Sequence, residues 1–206
     1  DSSGGWTRLV AGDDIKYTRT FNGVSSIADA QTAIQDLVFK PVENKVRLAL
    51  TEKTNFTVSV NDNSLLVVND ADISVVSTLV NDAPVITGGP STVNLNQTNT
   101  ALSASGSFTV GDADTTDIVT ASHTVAVTGF DQLTNDAYAE MFVLTPTSVL
   151  DETETSASLD WVFGSGSETF EYLAAGEKLV LVYTVTATDD AGAAAASDTE
   201  TITITI

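Results

Sequence analysis

The sequence predicts an all-β chain: two antiparallel β-sandwiches in tandem, with one short helix in the first. Three observations lead there. Thr and Val alternate in runs that suit a pleated, half-buried surface, as in Phe56-Thr57-Val58-Ser59-Val60 and Leu179 to Thr188 (LVLVYTVTAT). The runs end in Asn/Asp/Gly clusters at 61–63, 69–72, 81–84, 111–114 and 189–192, and such clusters are turn chemistry first. Between two strand-like runs stands Asn81-Asp82-Ala83-Pro84, where proline cannot donate to a ladder and stiffens the exit. The 206 residues, 42% hydrophobic, suffice for one large domain or two small ones.

The first unit, 1–82, is short for a complete sandwich. Its opening strands are missing or lie elsewhere in a longer parent chain. A helix is expected over about 26–39. Ser26 with Asp29 three residues on is a capping-box-like start. Ile27, Ala30, Ile34, Leu37 and Val38 fall on one helical face, and Pro41 is the expected stop. Strands follow at Phe56 to Val60 and Ile73 to Val80.

The second unit, 83–206, has enough strands for a complete sandwich. Val85-Ile86-Thr87 starts a strand that Gly88-Gly89-Pro90 breaks. Further alternating runs are Ser107 to Val110, Thr124 to Val127, Leu179 to Thr188 and Thr199 to Ile206. The phrase "strand, then acidic turn" occurs in both units, as tandem related modules would show: Val68 to Ile73 is echoed by Val110 to Asp114, and Phe56 to Asp62 by Tyr183 to Asp190.

Charge is unevenly spread. Up to Lys53 seven acids balance seven of the eight bases; from Thr54 onward there are 21 acids and one base, Lys178, which accounts for the net −20. A folded segment with that charge repels itself, and cations are the simplest remedy. Acidic, Thr-rich surfaces also keep proteins soluble without any specific site. A chain this acidic is not expected to bind nucleic acid or an anionic membrane surface. The absence of cysteine excludes disulfides and thiolate chemistry. No apolar run reaches the ~18–20 residues of a membrane helix. The start, Asp1-Ser2-Ser3-Gly4-Gly5-Trp6, has no basic and apolar signal regions. It fits a processed chain, a fragment, or export by another signal.

Several stretches resemble a known group. Val80-Asn81-Asp82-Ala83-Pro84-Val85 is similar to the junction between bacterial cadherin-like and VCBS-type repeats, tandem β-sandwich modules of large secreted adhesins. Tyr172 to Leu179, followed by Tyr183 to Gly192, resembles the late part of such a repeat. Leu37 to Asn44, leading to Phe56 to Asp62, resembles another variety of the group. About two thirds of the chain is covered; the first unit is truncated relative to a full repeat, and 130–160 departs from the pattern. The resemblance implies an extracellular, Ca2+-rigidified stalk or adhesion segment on a bacterial surface, as in biofilm adhesins. Its partners would be neighbouring repeats or subunits, with surface glycans or proteins gripped by other domains.

Topology makes a calcium site concrete. In an Ig-like sandwich the incoming chain, the BC loop and the FG loop share one pole. With Ser107 to Gly111 as strand B, and Leu179 to Thr188 and Thr199 to Ile206 as F and G, Asp112, Asp114 and Asp117 open the BC loop. Asp189 and Asp190 then sit in the FG loop, and Asn81-Asp82 arrives beside them. Ca2+ takes six to eight oxygens in flexible geometry, which suits this composition better than Mg2+ does. Asp62, Asp70 and Asp72 would form the equivalent pole of the first unit. Each cluster alone also reads as turn capping and solubility. No EF-hand loop or nonapeptide period occurs.

An enzyme is not expected. His123 is the single histidine and sits on a Thr/Val alternation, where a surface or edge-strand position is expected. No nucleophile-elbow, zincin or P-loop motif occurs. Gly164-Ser165-Gly166-Ser167 reads as a flexible turn. Two other classes stay open. One is a self-assembling fibre, surface-layer or capsid subunit that exchanges strands, with Thr199 to Ile206 as the added strand. The other is a carbohydrate-binding module stacking sugars on Trp6 or Trp161, although core packing is the commoner fate of such a residue.

Overall fold

The computed structural model describes residues 6–11, 14–21, 26–41, 51–61, 67–78, 80–191 and 196–206. These fall into two compact units, 1–41 and 42–206. The chain is all-β with antiparallel sheets, as the alternation predicts.

In the first unit, β1 (Thr7–Ala11) and β2 (Asp14–Thr18) form an antiparallel hairpin, with Thr7 opposite Thr18 and Ala11 opposite Asp14. The helix α1 covers Ser26–Gln35. It stops well before Pro41. The last turn tightens, with Leu37 N–H donating to Ile34 O at 3.2 Å. The buried side is centred on Ala33, with Ala30 and Ile34 partly covered, while Ile27 is 82% exposed and Val38 78%. The expected helical face is therefore only half used, because the chain leaves the helix before Leu37 and Val38 can extend it.

The first described elements of the second unit form a long hairpin, β3 (Thr51–Asn61) and β4 (Val67–Thr78). The pairing shifts register between Phe56 and Val58, which face Ile73 and Asp70. One extra residue on β4 is accommodated there, a β-bulge. The cluster at 69–72, expected to be a turn, lies inside this strand. Its Asx geometry survives in the bulge, where Asp72 N–H donates to Asp70 Oδ1 at 3.0 Å.

A complete sandwich follows. One sheet has five strands: β10 (Ser148–Leu150), β8 (Val119–Gly129), β12 (Leu179–Thr188), β13 (Ser197–Thr205) and β6 (Thr92–Asn94), in that order. The other has four: β5 (Val85–Thr87), β7 (Ser103–Gly111), β11 (Ser156–Gly164) and β9 (Phe142–Thr145). In Ig terms β8, β12 and β13 take the places of C, F and G, β7 and β11 those of B and E, and β5 and β6 are two halves of A, while β9 and β10 lie in the D and C′ places in reversed chain order. The first strand is split as expected. Gly88 and Gly89 both take φ of 79°, and a Cβ on Gly89 would meet the Phe108 ring at 2.6 Å. β5 pairs antiparallel with β7, and β6 pairs parallel with β13.

Alternation puts every second residue of β12, from Leu179 to Ala187, in the interior. Trp161 is fully buried and stacks on Phe142, ring centroids 5.6 Å apart, and Phe142 stacks on Tyr183 at 4.4 Å. α2 (Asn135–Glu140) closes the core's open side. Thr134 caps it, accepting from Ala137 N–H, and Tyr183 Oη donates to Tyr138 O at 2.7 Å. The glycine-serine stretch is a tie rather than a loose turn. Ser165 is buried; its Oγ accepts from Leu102 N–H at 2.9 Å and donates to Glu168 O at 2.6 Å.

Candidate functional site: the acidic pole

Strands β7 and β12 both run toward the pole where residue 81 enters. β7 ends at Gly111 and releases Asp112, Asp114 and Asp117 into the loop before β8. β12 ends at Thr188 and releases Asp189 and Asp190 into the loop before β13. Hydrogen bonds join the three segments. Asp82 N–H donates to Asp114 Oδ2 at 2.7 Å. Asn81 Nδ2 donates to Asp189 Oδ2 at 3.0 Å. Ile118 N–H donates to Asp190 Oδ1 at 2.9 Å. All seven residues expected at this pole thus meet there.

The loops hold themselves by local turns. Asp114 N–H donates to Asp112 Oδ1 at 2.9 Å, and Asp117 N–H to Asp114 O at 3.1 Å. Asp189 Oδ1 accepts from Ala191 N–H at 3.0 Å and from Ala196 N–H at 3.1 Å. The bonds from Asp114 N–H and Ala191 N–H are the Asx bonds that Asp-rich turns make in any case; the one from Ala196 N–H spans the loop between β12 and β13.

Burial goes beyond what a turn needs. Asp112 is 6% exposed, Asp114 1%, Asp117 5% and Asp189 4%. Asp82 and Asp190 are exposed. Three carboxylate oxygens, Asp112 Oδ2, Asp114 Oδ1 and Asp117 Oδ2, are buried and accept no hydrogen bond. A buried charge is costly unless paired, and native structures rarely leave such oxygens bare. The sequence offers little rescue. From Thr54 on, the single base is Lys178, at the other end of β12, ~30 Å of strand away.

The electrostatic response follows. Burial, then repulsion from Asp114, Asp112, Asp189 and Asp190, pushes the Asp117 carboxyl up to about 6. Burial also raises Asp112; the Asp114 N–H opposes this, while Asp114, Asp189 and Asp82 add to it. The arrangement concentrates negative charge in a place that rejects it.

Calcium fits this donor set chemically. It takes oxygen ligands, tolerates irregular geometry, and supplies the positive charge these oxygens lack. The cluster is not a ready-made cage: among the described residues no group of three or more His, Asp or Glu is arranged to hold a metal ion. The fit therefore rests on the bare oxygens and their charge. Asp112, Asp114 and Asp117 would be the inner donors, with Asp189, Asp190, Asp82 and Asn81 beside them.

The other expected residues divide. Asp70 and Asp72 lie mid-strand in β4 and are exposed, so they do not form a loop pole. Asp62 lies outside the described residues. His123 stands on the stretch of β8 that lies beyond β10, an edge-strand position as expected, but its side chain is not open to solvent. The ring is half-buried, with Nε2 3.1 Å from Ala139 O and its centroid 5.2 Å from that of Phe142. An open hollow of about 550 Å3 beside it is lined by Ala121, Phe142, Leu144 and Glu140. Trp161 is enclosed, with Gly106 beneath it, so its ring offers no face to a sugar. Sequence reasoning passed over Asp198, whose Oδ2 accepts from Ile86 N–H at 2.8 Å and ties the first strand of the sandwich to the last. The available signal was that the alternation of the final strand already starts at Ser197-Asp198-Thr199.

No family model matches the chain, and no curated protein matches it. A solved structure with a similar course is the ASH / PapD-like domain of human CEP192 (PapD-like domain 7). It matches at TM-score 0.41 and 14% identity, covering 60% of this chain and 84% of that one. The strand order itself, rather than this likeness, makes the second unit an Ig-like sandwich.

Proposed function

We propose that this chain is a non-catalytic, calcium-rigidified stalk segment of a bacterial extracellular adhesin. The observation that carries the reading is the set of three buried, unpartnered carboxylate oxygens on Asp112, Asp114 and Asp117, gathered where the preceding chain enters the sandwich. A resemblance of Asn81-Asp82-Ala83-Pro84 to inter-repeat junctions supports it. The mechanism is mechanical. Asp82 and Asn81 are fastened to the BC and FG loops by Asp114 and Asp189. Cancelling carboxylate repulsion there fixes the direction in which the preceding segment leaves. Repeated along a chain, such junctions turn a string into a rod that holds a distal binding domain away from the cell.

Calorimetric titration of the EGTA-stripped chain with Ca2+ tests this, beside an Asp82→Ala, Asp112→Ala, Asp189→Ala variant. Binding in the micromolar to millimolar range is expected in the parent and lost in the variant. Scattering should show stiffening, and the melting temperature should rise with Ca2+ by mass action. If saturating Ca2+ changed neither melting nor scattering, the acidic pole would be reduced to solubilising turns. A strand-exchanging fibre subunit would then come first. At its expected strand that route meets a neighbour only near the end, where β6 pairs with β13 from Thr203 to Thr205.

A further inference from the structure

Sheet edges recruit strands, and proteins usually blunt them by keeping edge strands short. β5, β6, β9 and β10 follow that rule, with three or four residues each. β8 does not. β10 covers only its start, pairing at Val119 and Thr120, with Ala121 N–H donating to Thr147 O at 2.7 Å. Beyond that point β8 is paired with β12 on one side, as far as Gly129.

Ladder parity decides which backbone groups face outward. Ala121 turns its N–H toward β10, and Phe130 N–H bonds Lys178 O on the β12 side. Odd-numbered His123, Val125 and Val127 therefore direct N–H and C=O away from β12. Among the described residues no main-chain group hydrogen-bonds them there, although α2 packs beside the strand near His123. The stretch has no proline, lysine or carboxylate from Ser122 to Thr128, so the usual edge guards are missing.

The residues are also self-complementary. Thr124-Val125-Ala126-Val127-Thr128 reads the same in both directions. Antiparallel copies related by a two-fold axis at Ala126 set Thr124 opposite Thr128 and Val125 opposite Val127. That is what an isologous contact requires. With 28 acids against 8 bases, two copies repel over most of their surface. This edge is where they meet without opposing carboxylates.

We infer that the exposed edge of β8 is a self-association seam, across which a second copy of this chain pairs antiparallel and extends the five-stranded sheet. So short a seam buries well under the ~1,200 Å2 of a standard stable interface, so dissociation is expected at about 100 µM or weaker. Screening the net charge strengthens it.

Sedimentation velocity across about 10 µM to about 1 mM is the test, at low and high NaCl. The parent should shift toward dimer with concentration, and further at high salt. Val125→Pro deletes an outward N–H without touching the β12 ladder, and Ala126→Lys places like charges on the axis; both should stay monomeric. If the proline variant fails to fold, the lysine variant carries the comparison. Because the chain has no cysteine, Ala126→Cys gives a second readout. The axis pair is a non-hydrogen-bonded one, whose spacing suits a disulfide. Mild oxidation should link Ala126→Cys copies and leave Ser122→Cys copies unlinked. Monomers at every concentration, association that both variants keep, or equal linking at 122 and 126 would overturn the seam. The Asp82→Ala, Asp112→Ala, Asp189→Ala variant should still associate, which separates this inference from the calcium reading.

Discussion

Asp117 shows most plainly what the pole asks of its residues. Its carboxyl rises from 3.8 to about 6 on folding, chiefly by burial. Between those values the native state holds a proton that the unfolded chain has released. Stability from this group is thus fully present below about 4 and is lost as pH climbs through about 6. Metal-free protein should therefore lose stability from about pH 4 to about pH 7, and Asp117→Asn should flatten that slope; thermal melts across the range would show both. At neutral pH the same substitution should stabilise metal-free protein by about 1–2 kcal/mol, since it removes a charge that burial disfavours. In saturating Ca2+ it should instead destabilise, because an amide is a poorer donor than a carboxylate. A change of sign between EGTA and Ca2+ is the signature to measure. A purely solubilising residue would give the same small effect in both.

Among the elements, the loops at the two ends of the sandwich are held by single polar side chains. Ser165 serves two backbone groups at once, Leu102 N–H and Glu168 O. Ser165→Ala would leave Leu102 N–H buried without a partner and take one from the half-buried Glu168 O, at a cost of about 1–3 kcal/mol in urea melts. Strands F and G and the two acidic loops were legible in the sequence. Leu179 to Thr188 alternates without a break, and the acids begin where the alternation stops. The segment 130–160 was not. β9 and β10 have four and three residues, too few to display a period, and Pro146 and Pro84 look alike in sequence although only one precedes a sandwich. The cluster at 69–72 misled because Asx chemistry serves a bulge as well as a turn. For His123 the edge-strand place was legible, but not the packing of its ring against Ala139 and Phe142, because the alternation does not record what α2 and β9 bring beside the strand. The helix fell short because Leu37 and Val38 have the right spacing but no surface to cover.

For the whole molecule, net charge is the governing quantity. The chain carries −20, and from Thr54 onward a single lysine offsets the acids. Self-repulsion of this size should be felt in the melting temperature of metal-free protein, which should climb with NaCl as the Debye length falls from about 30 Å at 0.01 M to about 10 Å at 0.1 M. Saturating Ca2+ should make the curve flatter, because the densest patch is already neutralised. Equal salt dependence with and without Ca2+ would place the repulsion elsewhere on the surface.

The split first strand has a further consequence, which concerns load. β6 and β13 run parallel, joined at Thr92 with Thr203, Val93 with Ile204 and Asn94 with Thr205. Flanking bonds from Thr203 N–H to Ser91 O and from Leu95 N–H to Thr205 O continue the seam. If residue 81 is pulled one way and residue 206 the other, these two strands slide past each other lengthwise. Every bond in the seam is then strained together, in shear, instead of opening one after another like a zip. A module built this way yields abruptly at a threshold tension, set by the parallel seam together with the β5–β7 pairing that precedes it along the chain.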